Sequence, residues 1–141
     1  MITVVLADDH AIVRDALRYL LEQAGDIIVV DLASNGQEAV DKVSAHQPDV
    51  AIIDVSMPVM GGIEATRHIR VCSPETRILM LSMHHTHDYL ERSLTAGAIG
   101  YILKDSAGSE LAMAVHSAYQ GDKYFSKPMA EFARRYFESR V

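Results

Sequence analysis

A chain of 141 residues with 49% hydrophobic and 23% charged side chains has room for one domain with a full-sized core. Its formal net charge of −6 repels phosphate backbones, so these residues alone make a poor nucleic-acid binder. No apolar run approaches the roughly 20 residues needed to cross a bilayer, the opening MITVVLADD carries neither a basic leader nor a cleavage site, and the single cysteine, Cys72, suits a reducing, cytoplasmic setting.

Taken in chain order, TVVLAD (Thr3 to Asp8) is apolar almost throughout rather than alternating, which predicts a strand covered on both faces. A helix follows, with Ile12, Ala16, Leu17, Leu20, Leu21 and Ala24 along one face and Gly25 at its end. IIVVDL (Ile27 to Leu32) predicts a second strand, and Gln37 to His46 a second helix, stopped by Pro48. VAIID (Val50 to Asp54) is the third strand. Pro58, Gly61 and Gly62 make the turn behind it, and Ile63 to Val71 is the third helix. RILMLS (Arg77 to Ser82) and a helix over His87 to Ala96, closed by Gly97, form the fourth unit. AIGYILK (Ala98 to Lys104) and a helix over Gly108 to Gln120 form the fifth, with Leu111, Val115, Ala118 and Tyr119 expected inward. Strand and helix thus alternate five times. This predicts an α/β fold, a (βα)5 doubly wound domain with a five-stranded parallel sheet in order 2-1-3-4-5, flavodoxin-like, and helices on both faces. Beyond Gly121, Ser126 and Pro128 suit the start of an extra C-terminal helix, about 128–138, whose stripe Met129, Phe132, Ala133, Tyr136 and Phe137 must be buried against something.

Open α/β sheets bind ligands at the carboxyl ends of their strands. There the predicted topology gathers Asp8 and Asp9 from the first strand, Asp54 from the third, Ser82 from the fourth and Lys104 from the fifth. Two like charges ~4 Å apart repel by about 4 kcal/mol at an effective dielectric near 20, so three carboxylates call for a protonated group or a cation. Oxygen ligands favour Mg²⁺ or Mn²⁺. A lysine and a hydroxyl facing them suit an incoming phosphoryl group. The constellation points to phosphoryl transfer onto a carboxylate, with Asp54 as nucleophile.

The motifs ADDH (Ala7 to His10), IIDVSMPVMGG (Ile52 to Gly62), MLSMH (Met80 to His84) and GYILKD (Gly100 to Asp105), in this order and spacing, resemble the response-regulator receiver (CheY-like) domain of two-component signalling. DDHAIVR, LSMH and LKD are further similar to the subfamily with a LuxR/NarL-type output domain. The resemblance implies residues 1–121 as a phosphoacceptor receiver and 122–141 as an extension that begins a linker to an output domain. By the same resemblance Asp54 is the phosphoacceptor. Asp8, Asp9, Asp54 and the backbone carbonyl of Ser56 hold Mg²⁺, while Ser82 and Lys104 each engage a phosphoryl oxygen. Tyr101 is the aromatic switch that turns inward when Ser82 moves, and Ser56 and His84 tune the lifetime of the phosphorylated state. A sensor histidine kinase is the implied donor and a homodimer a candidate assembly. DNA is implied only through an output domain that these residues do not contain, and no membrane is implied. The chain stops at Val141 without a helix-turn-helix, so a piece of a longer protein is expected in preference to a single-domain receiver.

Plainer readings stand beside these. An isolated pair such as Asp8 and Asp9 is ordinarily a helix cap and first-turn acid, Lys104 a solvated lysine and Tyr101 core packing. His84, His85 and His87 in MHHTHDYL lack the cysteine or carboxylate spacing of a zinc site, and Cys72 reads as an inert thiol. An aspartyl phosphatase would want an acid two residues past its nucleophile, where Ser56 stands. A flavin mononucleotide binder would want a hydroxyl- and glycine-rich phosphate loop where this chain has ADDHAIVR. A receiver acting only as a phosphorylation-independent interaction module would not need the full acidic and lysine set.

Overall fold

The near-continuous apolar runs form a parallel sheet. In the computed structural model, which describes residues 1–140, the strands are β1 (Ile2–Ala7), β2 (Ile27–Ala33), β3 (Val50–Asp54), β4 (Arg77–Ser82), β5 (Gly100–Leu103) and β6 (Tyr124–Phe125). They lie in the order β2-β1-β3-β4-β5-β6. The first five therefore match the expected 2-1-3-4-5. Every residue of β3 is buried, as a central strand covered on both faces requires.

The helices are α1 (Ala11–Glu22), α2 (Gly36–His46), α3 (Gly62–Cys72), α4 (His87–Ala96), α5 (Ala107–Tyr119) and α6 (Lys127–Glu138). Leu17 and Leu21 of α1 and Leu111, Val115 and Ala118 of α5 close one face of the sheet over Leu6, Ile52, Leu81 and Ile102. Val43, Ile69, Leu90 and Leu94, from α2, α3 and α4, close the other over Val5, Ile53, Met80 and Tyr101.

Three expectations change. The apolar face read along the first helix is wider than the groove that receives it: Leu17 and Leu21 are buried, whereas Ile12 is 86% exposed and Ala16, Leu20 and Ala24 also face solvent. Tyr119 is exposed because Ala118 takes the inward position in the last turn of α5. A sixth strand was not expected. Its two residues pair with Gly100 and Tyr101 of β5, and a stretch that short carries no periodic signal of its own.

β6 leads into α6, which lies against α4. Met129 and Ala133 are buried, and Phe132, Tyr136 and Phe137 are partly buried against the same core layer. The Tyr136 hydroxyl lies 3.2 Å from Thr95 Oγ1 of α4. The stripe predicted for this helix is thus covered by the domain itself.

The segment between β3 and α3 is clamped by close backbone approaches. A Cβ on Gly62 would stand 2.0 Å from the Asp54 carbonyl oxygen, and one on Gly36 2.0 Å from that of Met60. Between them, Val59 holds φ at +70° while almost fully exposed, a conformation that costs a β-branched residue of order 1–3 kcal/mol. Gly62→Ala should lose about 3 kcal/mol of stability by overpacking, measured by urea denaturation. Met129→Ala should lose about 3 kcal/mol as well. A helix standing free of the domain would tolerate that change without loss.

Candidate functional site

β1, β3 and β5 deliver three charged groups to one point. Asp8 follows β1, Asp54 ends β3 and Lys104 follows β5, and the parallel register, Ala7 beside Ile53 and Ser82 beside Leu103, brings their side chains together. Lys104 Nζ donates to Asp54 Oδ2 at 2.7 Å and to Asp8 Oδ1 at 3.3 Å. Asp8 and Asp54 are almost fully buried, and Asp9 stands at the rim.

Asp54 Oδ1 accepts the Ser56 backbone N–H at 3.1 Å. Burial pushes the Asp54 carboxyl up, Lys104 opposes this and the Asp8 charge adds to it, and the result is about 6. For Lys104, burial works to lower the ammonium, but Asp54 and Asp8 prevail and hold it above its ordinary value. The pair is therefore ionised at neutral pH.

Asp8 is held from the other side. Its Oδ1 accepts the His10 N–H at 2.9 Å, and Arg14 donates to its backbone carbonyl at 2.9 Å. Its Oδ2 is buried and makes no hydrogen bond. Lys104 Nζ lies 3.1 Å from that oxygen, an ion-pair contact that does not meet hydrogen-bond geometry. Carboxylate oxygens of Asp8, Asp9 and Asp54 and a ring nitrogen of His10 all fall within 4.8 Å of one another. Three carboxylates against one ammonium leave a formal excess of two negative charges, and one of the carboxylate oxygens, Asp8 Oδ2, is buried without a hydrogen bond. Such an oxygen-rich, doubly negative cluster can hold a divalent cation.

Across the cleft, Ser82 is buried and its Oγ accepts the His84 N–H at 2.9 Å, while the Tyr101 hydroxyl donates to the His84 carbonyl at 2.9 Å. One residue, His84, is thus held through both its backbone N–H and its carbonyl. Tyr101 is already turned inward and fully buried, and burial pushes its hydroxyl up to about 12. The His84 ring stacks on Tyr89 at 3.9 Å and sits 3.1 Å from Ser56 Oγ. It therefore links the loop after Asp54 to α4. His10, Asp54, Ser56, Met83, His84 and Lys104 line a cleft of about 220 Å³.

Asp8, Asp54 and Lys104 are in direct contact at this edge, Asp9, Ser56, Ser82 and His84 stand around them, and Tyr101 lies within β5 and reaches the edge through its hydroxyl. Sequence reasoning did not single out His10. Its place directly after two acids at a helix start was the available signal. His85 and His87 stay outside the acidic cluster.

Comparison with known proteins gives one answer. Residues 4–116 match the model of the response regulator receiver domain. The chain is 45% identical over 127 residues to the oxygen regulatory protein NreC of Staphylococcus carnosus, covering 89% of this chain and 58% of that protein. It is 39% identical over 131 residues to the response regulator UvrY of Escherichia coli K12, covering 93% and 60%. It therefore spans less than two thirds of the length of these relatives. A crystal structure of a LuxR-family two-component response regulator from Aurantimonas superposes with a TM-score of 0.88 at 35% identity, covering 100% of this chain and 99% of that one. The isolated receiver of RcsB from Salmonella enterica, determined with the phosphomimetic BeF3⁻, gives 0.84 at 27% identity, covering 93% and 97%.

Asp54 binds its proton more tightly in the folded chain than at its ordinary value of 3.8. Stability associated with that proton is present below about pH 4 and is lost as pH rises through about 6. Asp54→Asn, with chelator present, should therefore gain stability over the wild type as pH is raised from 4 to 7. The gain should level off at about 3 kcal/mol in denaturant titrations across that range.

Proposed function

The chain belongs to the response regulator receiver domain family, and we propose that it acts as a phosphorylation switch with Asp54 as the phosphoacceptor. The observation that carries this reading is Lys104 Nζ, 2.7 Å from Asp54 Oδ2 and 3.1 Å from Asp8 Oδ2, within a cluster that is too negative by two charges. An Asp54 oxygen attacks the phosphorus of a phosphorylated imidazole in line. The P–N bond breaks as the new O–P bond forms, and the departing ring nitrogen takes a proton from water. Lys104, already charged and 2.7 Å from Asp54 Oδ2, is placed to pair with a phosphoryl oxygen.

Asp8, Asp9 and Asp54, with the backbone carbonyl of Ser56, are the groups proposed to hold Mg²⁺, or Mn²⁺ in its place. Such an ion when bound supplies positive charge against the phosphoryl oxygens. The buried Asp8 Oδ2 that lacks a hydrogen bond supports this. Ser82 is proposed to turn its hydroxyl onto another phosphoryl oxygen. In doing so it releases the His84 N–H it now accepts and leaves the His84 backbone held at its carbonyl by Tyr101. Ser56 and His84, hydrogen-bonded across the mouth of the cleft, are placed to govern the approach of water and hence the lifetime of the acyl phosphate. The added charge, roughly −1.5 to −2, biases a two-state element made of the Ser82–His84 loop, α4 and Tyr101.

On this reading the donor is a sensor histidine kinase, the reaction is stoichiometric rather than a turnover chemistry, and the setting is cytoplasmic. No helix among the described residues is long and apolar enough to cross a membrane. In a longer protein the switch would govern a DNA-binding output domain, and a homodimer is an assembly consistent with it.

Incubation with acetyl phosphate and Mg²⁺, followed by intact mass, should give one phosphoryl adduct. The adduct should disappear with chelator or with Asp54→Asn. An adduct that survives Asp54→Asn overturns the assignment, and so does steady turnover of a simple phosphate ester.

A further inference from the structure

The stretch that matches the receiver family ends at residue 116, yet the backbone on both sides of Lys104 is tied to residues beyond it. β6 pairs with β5 only at Gly100 and Tyr101. The contact then continues through Ser126, whose N–H donates to the Tyr101 carbonyl at 3.0 Å and whose Oγ accepts the Leu103 N–H at 2.9 Å. Leu103 immediately precedes Lys104.

The Ser126 hydroxyl in turn donates to Glu110 Oε2 at 2.7 Å. The same carboxylate receives the Ser106 hydroxyl at 2.6 Å and the Tyr124 hydroxyl at 3.1 Å. Ser106 closes the short 3₁₀ turn that Lys104 begins. Burial works to raise Glu110, but these three hydroxyls hold its carboxyl below the usual range. It is therefore an acceptor only, so the Ser126 proton must point to it and a Ser126 lone pair is left for Leu103. Ser126 is completely buried, and a buried hydroxyl so used has no water to replace a lost partner.

We infer that the C-terminal extension is a working part of the site: Ser126 and Glu110 are positioning residues that fix the backbone before and after Lys104, and so set where its ammonium meets Asp54. The inference rests on the switch reading above and extends it to residues 122–138. Coupling of this kind is reciprocal. Whatever draws Lys104 toward a phosphoryl group pulls, through Leu103 and Ser126, on the first turn of α6.

The test uses the full chain, with the rate of adduct formation from acetyl phosphate and Mg²⁺ as one readout and the backbone amide resonances of Leu103 and Lys104 as the other. Acetyl phosphate gives its phosphoryl group to Asp54 as its own P–O bond breaks and acetate leaves. Ser126→Ala and Glu110→Gln should each form the adduct about 5-fold more slowly, the change expected for one net hydrogen bond, and should shift both amide signals. Phe132→Ala, which loosens α6 where it meets His87 of α4 and leaves the network intact, should melt earlier yet react at the wild-type rate. A wild-type rate with unmoved signals in Ser126→Ala overturns the inference. Equal slowing in Phe132→Ala also overturns it, since general loosening would then explain the effect. If the wild type forms no adduct, the switch reading falls, and the amide signals alone decide whether Ser126 positions Lys104.

Discussion

Asp8 and Asp54 are both withdrawn from water at the tips of neighbouring strands, and a single ammonium holds them there. Moving a carboxylate into such a place is costly, and moving two side by side adds their repulsion. Lys104 offsets part of this, and burial still leaves the Asp54 carboxyl pushed up to about 6. On the proposed function, phosphorylation of Asp54 would add charge where the Lys104 ammonium and the Ser56 N–H already point. The cluster is thus held in a tight electrostatic balance, and in the proposed switch a change in its charge would act on Ser82, His84 and α4, which form the other side of the cleft.

That arrangement needs rigidity on one side and freedom on the other. The clamp at Gly36 and Gly62 and the fully buried β3 hold Asp54 still. The opposite wall is built from side chains that can exchange partners: Ser82 on the His84 N–H, Tyr101 on its carbonyl, and His84 between Ser56 and Tyr89. On the proposed function, a fixed phosphoacceptor facing such a wall would let a local charge change become a shift of a helix.

Much of this was legible in the residues. Continuous apolar runs announce buried parallel strands, and acids, a hydroxyl and a lysine at successive strand ends announce a charged cluster, because the topology has one edge where they can meet. Periodicity could not show how much of the first helix is covered. Ile12 and Leu20 fit the stripe as well as Leu17 and Leu21 do, and only the width of the groove between sheet and α5 separates them. β6 was illegible because a two-residue strand exists only through its partner. Glu110 and Ser126 were illegible for a related reason. Their link spans 16 positions and is made by ordinary polar side chains, whose purpose becomes visible only when Leu103 is seen to need an acceptor.

Lys104 stands 96 positions from Asp8 and 50 from Asp54 in the chain. The closing contact of the site therefore spans about two thirds of the chain and carries the loop-closure cost of all that intervenes. During synthesis, β1 and β3 emerge and can pair long before Lys104 exists to neutralise their acids. Until then Asp8 and Asp54 repel each other without a counter-charge. An unfinished chain thus has the carboxylates but not their counter-charge, and on the proposed function it could not receive a phosphoryl group until Lys104 is in place.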